Sequence, residues 1–309
     1  MDTNALAILT TLASRRQGVV TFDELIAAGF DASILRAGKR RGWQRMHRGV
    51  WYLHADPPTF THWVLATPLI CGRDGAIGGA ANLFVRGVLP SPPAQIDLWI
   101  PPTRTIRPLA HTPYVVHRDK RGRLNRKDHN GMLLSLGDAL LDYLNTVTDE
   151  TKAATAIIGT RAKFPHQVEH CQADFIERDR QRHRHLFTTL MACEPAFDSV
   201  LEYLWLVNVE QAHNMAPSQR QWICPDGYRR DGAWPHYQTI YELDGDAFHL
   251  NPRVLKRDRD KDYAARRRGF VTLRFGWADI VERPCQTARD VATAIPQLPI
   301  EPCSPTCWV

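Results

Sequence analysis

Apolar residues recur at helical spacing from the start of the chain. Ala5, Ile8, Leu9 and Leu12 fall along one face and predict an amphipathic helix over 4–16, which Gly18 ends. Thr21 followed three residues on by Glu24 has the spacing of a capping box and opens a second helix, with Phe22, Leu25 and Ile26 turned inward. Asp31 is the expected N-cap of a third helix reaching Arg41, with Ile34 and Leu35 inward. The period then shortens, and WQRMHRGVWYL reads as two short strands around a turn at Gly49. Three short helices followed by a β-hairpin predict a winged helix-turn-helix over 1–58. Gly38 inside the third helix costs about 1 kcal/mol relative to alanine, and the sequence gives no reason for it.

Asp56-Pro57-Pro58 predicts a linker. A small α/β middle region over 59–196 follows. It has expected helices over 59–71 and 78–85, strands over 95–100 and 114–117, and a helical stripe of Leu136, Leu140, Leu141 and Leu144. Further helices are predicted over 151–163 and 172–191. The second mixes Glu177, Arg178, Asp179, Arg180, Arg182 and Arg184, the pattern of a solvated, ion-paired face. His183 and His185 lack the spacing of a helical metal pair and are expected at the surface. From 197 the order is α-β-β-β-α-β-α. A helix bearing Glu202 is capped by Asp198 or Ser199. Strands follow over 219–223 and 229–233, with a third through Ile240, Tyr241 and Leu243 that ends at Gly245; Trp234-Pro235 turns between the last two. A cationic helix over 253–268, a strand over 271–275 and a helix over 287–295 complete this region, and 299–309 is expected to be a flexible tail. The fold class is therefore α+β and α/β, multidomain.

Composition fits a soluble globular chain of two or three domains: 309 residues, 44% hydrophobic and 23% charged. The net charge of +6 permits a nucleic-acid partner, and the placement of the cations says more. Ser33, Arg36, Lys39 and Arg40 occupy outward positions of the third helix, and Arg45, His47 and Arg48 lie on the hairpin; these are the expected DNA contacts. A second concentration runs from Arg104 to Lys127, opposed locally by Asp119 and Asp128 alone, and reads equally as phosphate contacts or as a charged loop. No run of eighteen apolar residues occurs. Asp2 before the first apolar stretch and Arg15-Arg16 after it reverse the charge order of a signal peptide, so a cytoplasmic protein is expected. Seven scattered cysteines suit a reducing compartment. Cys303 and Cys307 form a C-x-x-x-C pair that is a weak zinc signal, and a frayed terminus is the favoured reading.

The chemistry concentrates in RRDGAWPHYQTIYELDGDAFH. A hairpin there brings Asp231 close to Glu242 and Asp244, and period two puts Glu242 and Asp244 on one strand face. Three gathered carboxylates repel one another and are best tolerated around a hard divalent cation, Mg²⁺ or Mn²⁺. A water-exposed strand would also alternate Tyr241 and Leu243 with two acids.

An acid on one strand, a Trp-Pro turn, then E-x-D-G with a histidine four residues on resembles the very-short-patch-repair-endonuclease-like domain of the PD-(D/E)XK superfamily. The similarity continues through Asp258 and Lys261 (D-x-x-K), Gly269, Arg274-Phe275, Trp277 and Asp279, and upstream through Ser199 and Glu202 (S-x-x-E). It implies a restriction-endonuclease-like α/β domain over 197–298 with a central mixed sheet. It further implies Asp231, Glu242 and Asp244 as metal ligands, Glu202 holding a metal-bound water, and His249 acting on nucleophile or leaving oxygen. Lys261 and Arg274 would hold phosphates. The general motif ends in lysine, and Asp244 stands there instead. For His249 a supporting hydrogen-bond role stands beside the catalytic one, and for Asp258 and Lys261 a helical ion pair is preferred. The first 58 residues, through GVVTFDELIAAGF, the basic third helix and HRGVWYL, resemble the N-terminal domain of AbiEi-type antitoxins and regulators.

Two functions follow from these resemblances. One is a metal-dependent DNA endonuclease of repair or phage defence. The other is a transcriptional regulator or antitoxin, with a toxin or other protein partner, whose nuclease-like domain is inactive or binds protein.

Overall fold

The computed structural model describes residues 3–126, 131–176, 182–192, 197–244, 252–305 and 307. The chain is mixed α and β and divides into two compact units, Met1–Arg184 and His185–Val309. Among the described residues no helix is long and apolar enough to cross a membrane.

The first unit opens with α1 (Thr3–Ser14), β1 (Val19–Thr21), α2 (Phe22–Ala27), α3 (Ser33–Arg40), β2 (Gln44–His47) and β3 (Val50–Tyr52). The capping box forms: Thr21 Oγ1 accepts the Glu24 N–H at 3.1 Å and Glu24 Oε2 accepts the Thr21 N–H at 2.8 Å, while Arg16 ion-pairs with the same carboxylate. Strand β1 has no counterpart in the sequence reading. It is three residues long, too short for an alternation signal, yet Val19 and Val20 are fully buried and it pairs antiparallel with β3 in a sheet ordered β1-β3-β2. Asp31 lies one residue outside the observed cap of α3, which is Ala32, and its Oδ1 accepts the Ser33 N–H at 2.7 Å. Gly38 is explained by packing: a Cβ there would lie 2.0 Å from the Trp43 ring. Leu9, Val20, Leu25, Ile34 and Trp51 form the small core of these elements.

Next come α4 (Phe60–Cys71), β4 (Ala76–Ile77), α5 (Gly79–Val85), β5 (Ile96–Ile100), β6 (Tyr114–Arg118), α6 (Leu136–Thr146), α7 (Glu150–Lys163) and α8 (Val168–Ile176). The sheet runs β4-β5-β6, antiparallel then parallel. Met46, Val50 and Tyr52 share one core with Trp63 and Ile70 of α4 and Ile96, Leu98 and Ile100 of β5, so apolar packing is continuous across Asp56-Pro57-Pro58. Part of the Arg104–Lys127 basic stretch is neutralised by acids distant in sequence. Arg123 grips both oxygens of Asp142 at 2.8 and 2.9 Å and stacks 4.3 Å from the Trp99 ring, and Arg126 reaches Asp174 and Asp138. Lys127 and Asp128 lie outside the described residues.

The helix expected over 172–191 is instead two helices, α8 ending at Ile176 and α9 (Arg184–Ala192); Glu177, Arg178, Asp179 and Arg180 lie outside the described residues. His183, expected at the surface, is buried, with Nε2 2.9 Å from the Val147 carbonyl oxygen.

The second unit contains α10 (Val200–Leu204), β7 (Gln219–Ile223), β8 (Arg229–Trp234), β9 (Thr239–Asp244), α11 (Pro252–Arg267), β10 (Val271–Gly276) and α12 (Pro284–Ala294). Its mixed sheet is ordered β10-β9-β8-β7, with β10 and β9 parallel and the other neighbours antiparallel. Trp205, Trp234, Tyr241 and Phe275 build one core with residues of α10 and α12; Ala233, Ile240 and Ala265 of α11 build another with Trp222 and Phe270. Gly232 sits opposite Tyr241, and a Cβ on it would come within 2.1 Å of the tyrosine ring, so the bare backbone lets that ring lie across β8. Helix α10 continues as a π-helical turn over Trp205–Gln211, a widening that recurs near functional sites.

Candidate functional site

The β8–β9 ladder runs from Trp234 opposite Thr239 to Gly232 opposite Tyr241. One residue further, the N–H of Leu243 is donated to Asp231 Oδ2 at 2.7 Å. The side chain takes the place of a main-chain acceptor there, and this anchors Asp231 beside the strand that carries Glu242. Glu242 is buried and Asp231 half-buried. Asp231 is held above the usual aspartate range by burial, with Asp244 adding to the effect; the Leu243 N–H, Lys261 and Arg229 pull the other way. Glu242 is pushed up by burial and then by Asp231, against Lys261 and Arg230. The two acids therefore lie within each other's field.

Glu202 joins them from α10. Ser199 caps this short helix, accepting the Glu202 N–H at 3.3 Å. The Glu202 carboxylate accepts the Asp198 N–H at 3.2 Å and the Gln221 side-chain amide at 2.7 Å. Burial raises its pKa to about 7 despite these hydrogen bonds, and Asp231 and Asp198 contribute in the same direction. Gln221 itself adopts φ 51°, a left-handed conformation uncommon for a side-chain-bearing residue. Its Oε1 is buried without a hydrogen-bond partner.

Cations close on parts of this group. Arg230 is fully buried; its Nη2 donates to Asp226 at 2.7 Å and to the Lys261 carbonyl at 3.0 Å, and its Nη1 donates to Glu242 Oε1 at 3.2 Å. Lys261 Nζ stands 4.0 Å from the same Oε1. Glu242 Oε2 and Asp231 Oδ1 take no hydrogen bond from the described residues. Asp244 is different: Arg274 Nη1 lies 3.2 Å from each of its oxygens, and Nη2 of the same arginine holds Asp262 at 3.0 and 3.1 Å. Arg274 is thus committed to two aspartates, and Lys261 faces Glu242. His249 and the turn after Asp244 lie outside the described residues, as does the Asp258 side chain.

The acids thus sort into two sets. Asp231 lies within the field of both Glu242 and Glu202; Asp244 is adjacent but occupied on both oxygens. A hard cation fits Asp231 and Glu242 in its chemistry: two partly dehydrated carboxylates, each with one oxygen unengaged among the described residues, and the Gln221 carbonyl, buried without a partner, nearby at Glu202. The geometry is looser than a preformed cage. Among the described residues a set of ligand atoms all within 4.8 Å of one another occurs elsewhere, at His213, Cys285, Cys303 and Cys307. Gln221, Arg230 and Asp226 were not singled out by sequence. A glutamine in a strand and an arginine next to an aspartate carry no spacing signal; only the strand register brings them in.

The cations of the first unit are spread differently. Ser33, Arg36, Lys39 and Arg40 are exposed on α3, whose inward side buries Ile34 and Gly38. Lys39 Nζ lies 5.7 Å from the Trp51 ring centre. Arg45 and Arg48 are exposed at the β2–β3 hairpin. His47 is only partly exposed, and its Nε2 is buried without a hydrogen-bond partner.

No family model and no curated protein matches the sequence. A crystal structure of the RV2827C protein from Mycobacterium tuberculosis is similar at 17% identity, over 61% of this chain and 72% of that one, with a TM-score of 0.34. At that score the two chains are not shown to share a fold.

Proposed function

We propose that this chain binds DNA through a winged helix-turn-helix in its first unit and hydrolyses a phosphodiester at Asp231 and Glu242 in its second, which we read as a PD-(D/E)XK-like domain. The observation that carries the hydrolytic reading is the excess of acid at the β8–β9 junction. Asp198, Asp226, Asp231 and Glu242 face three cations, Arg229, Arg230 and Lys261, with Glu202, whose pKa is about 7, beside them. The local balance is negative, which a bound divalent cation would offset.

Asp231 and Glu242 would hold Mg²⁺ or Mn²⁺ through their unengaged oxygens. Bound there, such an ion supplies charge neutralisation at the scissile phosphate and a more acidic water. Glu202, with a pKa of about 7, is matched to accept a proton from an attacking water, and Gln221 fixes its orientation. Lys261 sets a positive charge next to Glu242, where a phosphate oxygen gains from it. Asp244 has the role of holding Arg274, in place of the ligand role the resemblance implies. The exposed cations of α3 and the hairpin supply salt-sensitive affinity for the DNA backbone.

The direct test is nicking of supercoiled plasmid with Mg²⁺ or Mn²⁺. Wild type is expected to cut, Asp231→Asn and Glu242→Gln to lose activity by at least about 100-fold, and Asp244→Asn to keep most of it. A wild-type chain that binds DNA and cuts under neither metal removes the hydrolytic reading.

The second reading, an AbiEi-like regulator or antitoxin that does not cut, is favoured by a specific pair of contacts: Arg230 on Glu242 and Arg274 on Asp244. If those arginines stay in place when metal is offered, the acids serve structure alone, and the second unit is a scaffold or a surface for a protein partner.

A further inference from the structure

His213 follows the π-helical turn of the second unit and is 1% exposed. Its Nδ1 lies 2.9 Å from the Val209 carbonyl oxygen. A carbonyl only accepts, so that nitrogen carries the proton and Nε2 presents a lone pair. Nε2 points at Cys307 Sγ, 3.4 Å away. Cys285, on the first turn of α12, brings its Sγ to 3.6 Å from Cys303 Sγ. One imidazole nitrogen and three sulfurs lie within 4.8 Å of one another, and all three cysteines are free thiols.

From these contacts we infer a structural zinc site, Cys285–Cys303–Cys307–His213, separate from the acidic junction. The separations suit the ion. With Zn–S bonds of about 2.3 Å and Zn–N bonds of about 2.0 Å, a tetrahedron sets its sulfurs roughly 3.8 Å apart and sulfur to nitrogen roughly 3.5 Å. The observed 3.6 and 3.4 Å need only small adjustments. A disulfide needs sulfurs about 2.05 Å apart, much closer than Cys285 and Cys303 stand. The Val209 carbonyl is the outer partner that a zinc-bound histidine needs to fix its tautomer. The soft donor set selects zinc over magnesium, and four protein ligands leave no open position for catalysis. Binding displaces three thiol protons to solvent as the metal–sulfur bonds form.

The segment that delivers two of the cysteines is already seated. Ala216 N–H donates to the Pro299 carbonyl at 2.8 Å, Glu301 N–H to the His213 carbonyl at 2.8 Å, and Asn214 Nδ2 to Glu301 Oε2 at 2.9 Å. Leu298 is buried in the core beside α12. Zinc would pin the stretch after α12 to the end of the π-helical turn.

The full chain, isolated under reducing conditions without chelator from zinc-containing medium, is expected to hold about one zinc per chain by elemental analysis. Cobalt exchanged into it should give the intense visible bands and thiolate charge-transfer absorption of a tetrahedral sulfur-rich site. Cys285→Ser and Cys307→Ser should reduce zinc content to a small fraction of wild type. Cys303→Ser, at an exposed position, repeats the test if either of those is insoluble. Stripping the metal should expose the stretch after Leu298 to limited proteolysis, and zinc should restore protection. Metal-free wild type with reduced thiols and unchanged protease resistance would overturn the site. So would an octahedral cobalt spectrum, or a Cys285–Cys303 disulfide in protein isolated under reducing conditions. None of these readouts depends on DNA cleavage.

Discussion

Arg230 and Glu242 face each other across β8 and β9 as a buried ion pair, Nη1 to Oε1 at 3.2 Å, with the arginine also held at 2.7 Å by Asp226. Replacing Arg230 with methionine keeps much of its volume and leaves two carboxylates without their cation. The expected loss is about 3–5 kcal/mol, the range for breaking a buried pair on one side. Urea denaturation measures it directly. A loss below about 1 kcal/mol would mean that water or Lys261 already compensates the acids.

Glu202 makes stability depend on pH in a definite direction. Its folded pKa, about 7, lies above that of an unfolded glutamate. Below about pH 4 both states are protonated and the group contributes nothing. As pH rises to 7 the unfolded chain ionises first, so the folded state loses stability, and the loss is complete above 7. Glu202→Gln should therefore flatten the decline in melting temperature between pH 4.5 and 7, recovering up to about 3 kcal/mol at pH 8. Parallel profiles for wild type and variant would remove the assignment.

Gly38→Ala sets two effects against each other. Helix propensity alone favours alanine by about 1 kcal/mol. The Trp43 ring lies 2.0 Å from the new methyl position and must move, and such overpacking costs about 1–3 kcal/mol. A net destabilisation with altered Trp43 fluorescence is expected; a stabilised variant would show that the ring is free to swing away.

The exposed row on α3 carries the DNA-binding proposal. Arg36→Ala combined with Arg40→Ala should weaken binding and reduce the slope of log affinity against log salt by about 2. Fluorescence anisotropy with a labelled duplex reads both. Unchanged affinity at low salt would exclude α3 from the interface.

Much of the fold was legible because its elements carry local signals. The capping box at Thr21, the stripe of Leu136, Leu140, Leu141 and Leu144, and the alternation through Tyr241 and Leu243 each appear as regular elements in the structure. Strand β1 had too few residues to register as a pattern. The single helix expected over 172–191 is two, and residues 177–185 carry no apolar side chain that would keep one buried face continuous between them. The acidic junction was legible only as far as types and order allow. Sequence places Asp231 and Glu242 on neighbouring strands, but that Arg274 would take both oxygens of Asp244 follows from a parallel register with β10. The thiols were harder still. Cys303 and Cys307 are neighbours in sequence, while Cys285 and His213 arrive from α12 and the far end of the π-helical turn, 18 and 94 residues from the thiols they touch.

The left-handed backbone at Gln221 has a consequence for the molecule's company. Among the described residues strand β7 is the last in its sheet, with a partner on one side only. Unpaired peptide groups in a straight row invite another polypeptide to dock by the same bonding, the first step towards aggregates. At Gln221 the backbone leaves the extended conformation while the register with β8 is kept on either side, so a newcomer would meet one residue out of line midway. The residue whose amide holds Glu202 thus also interrupts the row that a second chain would have to match.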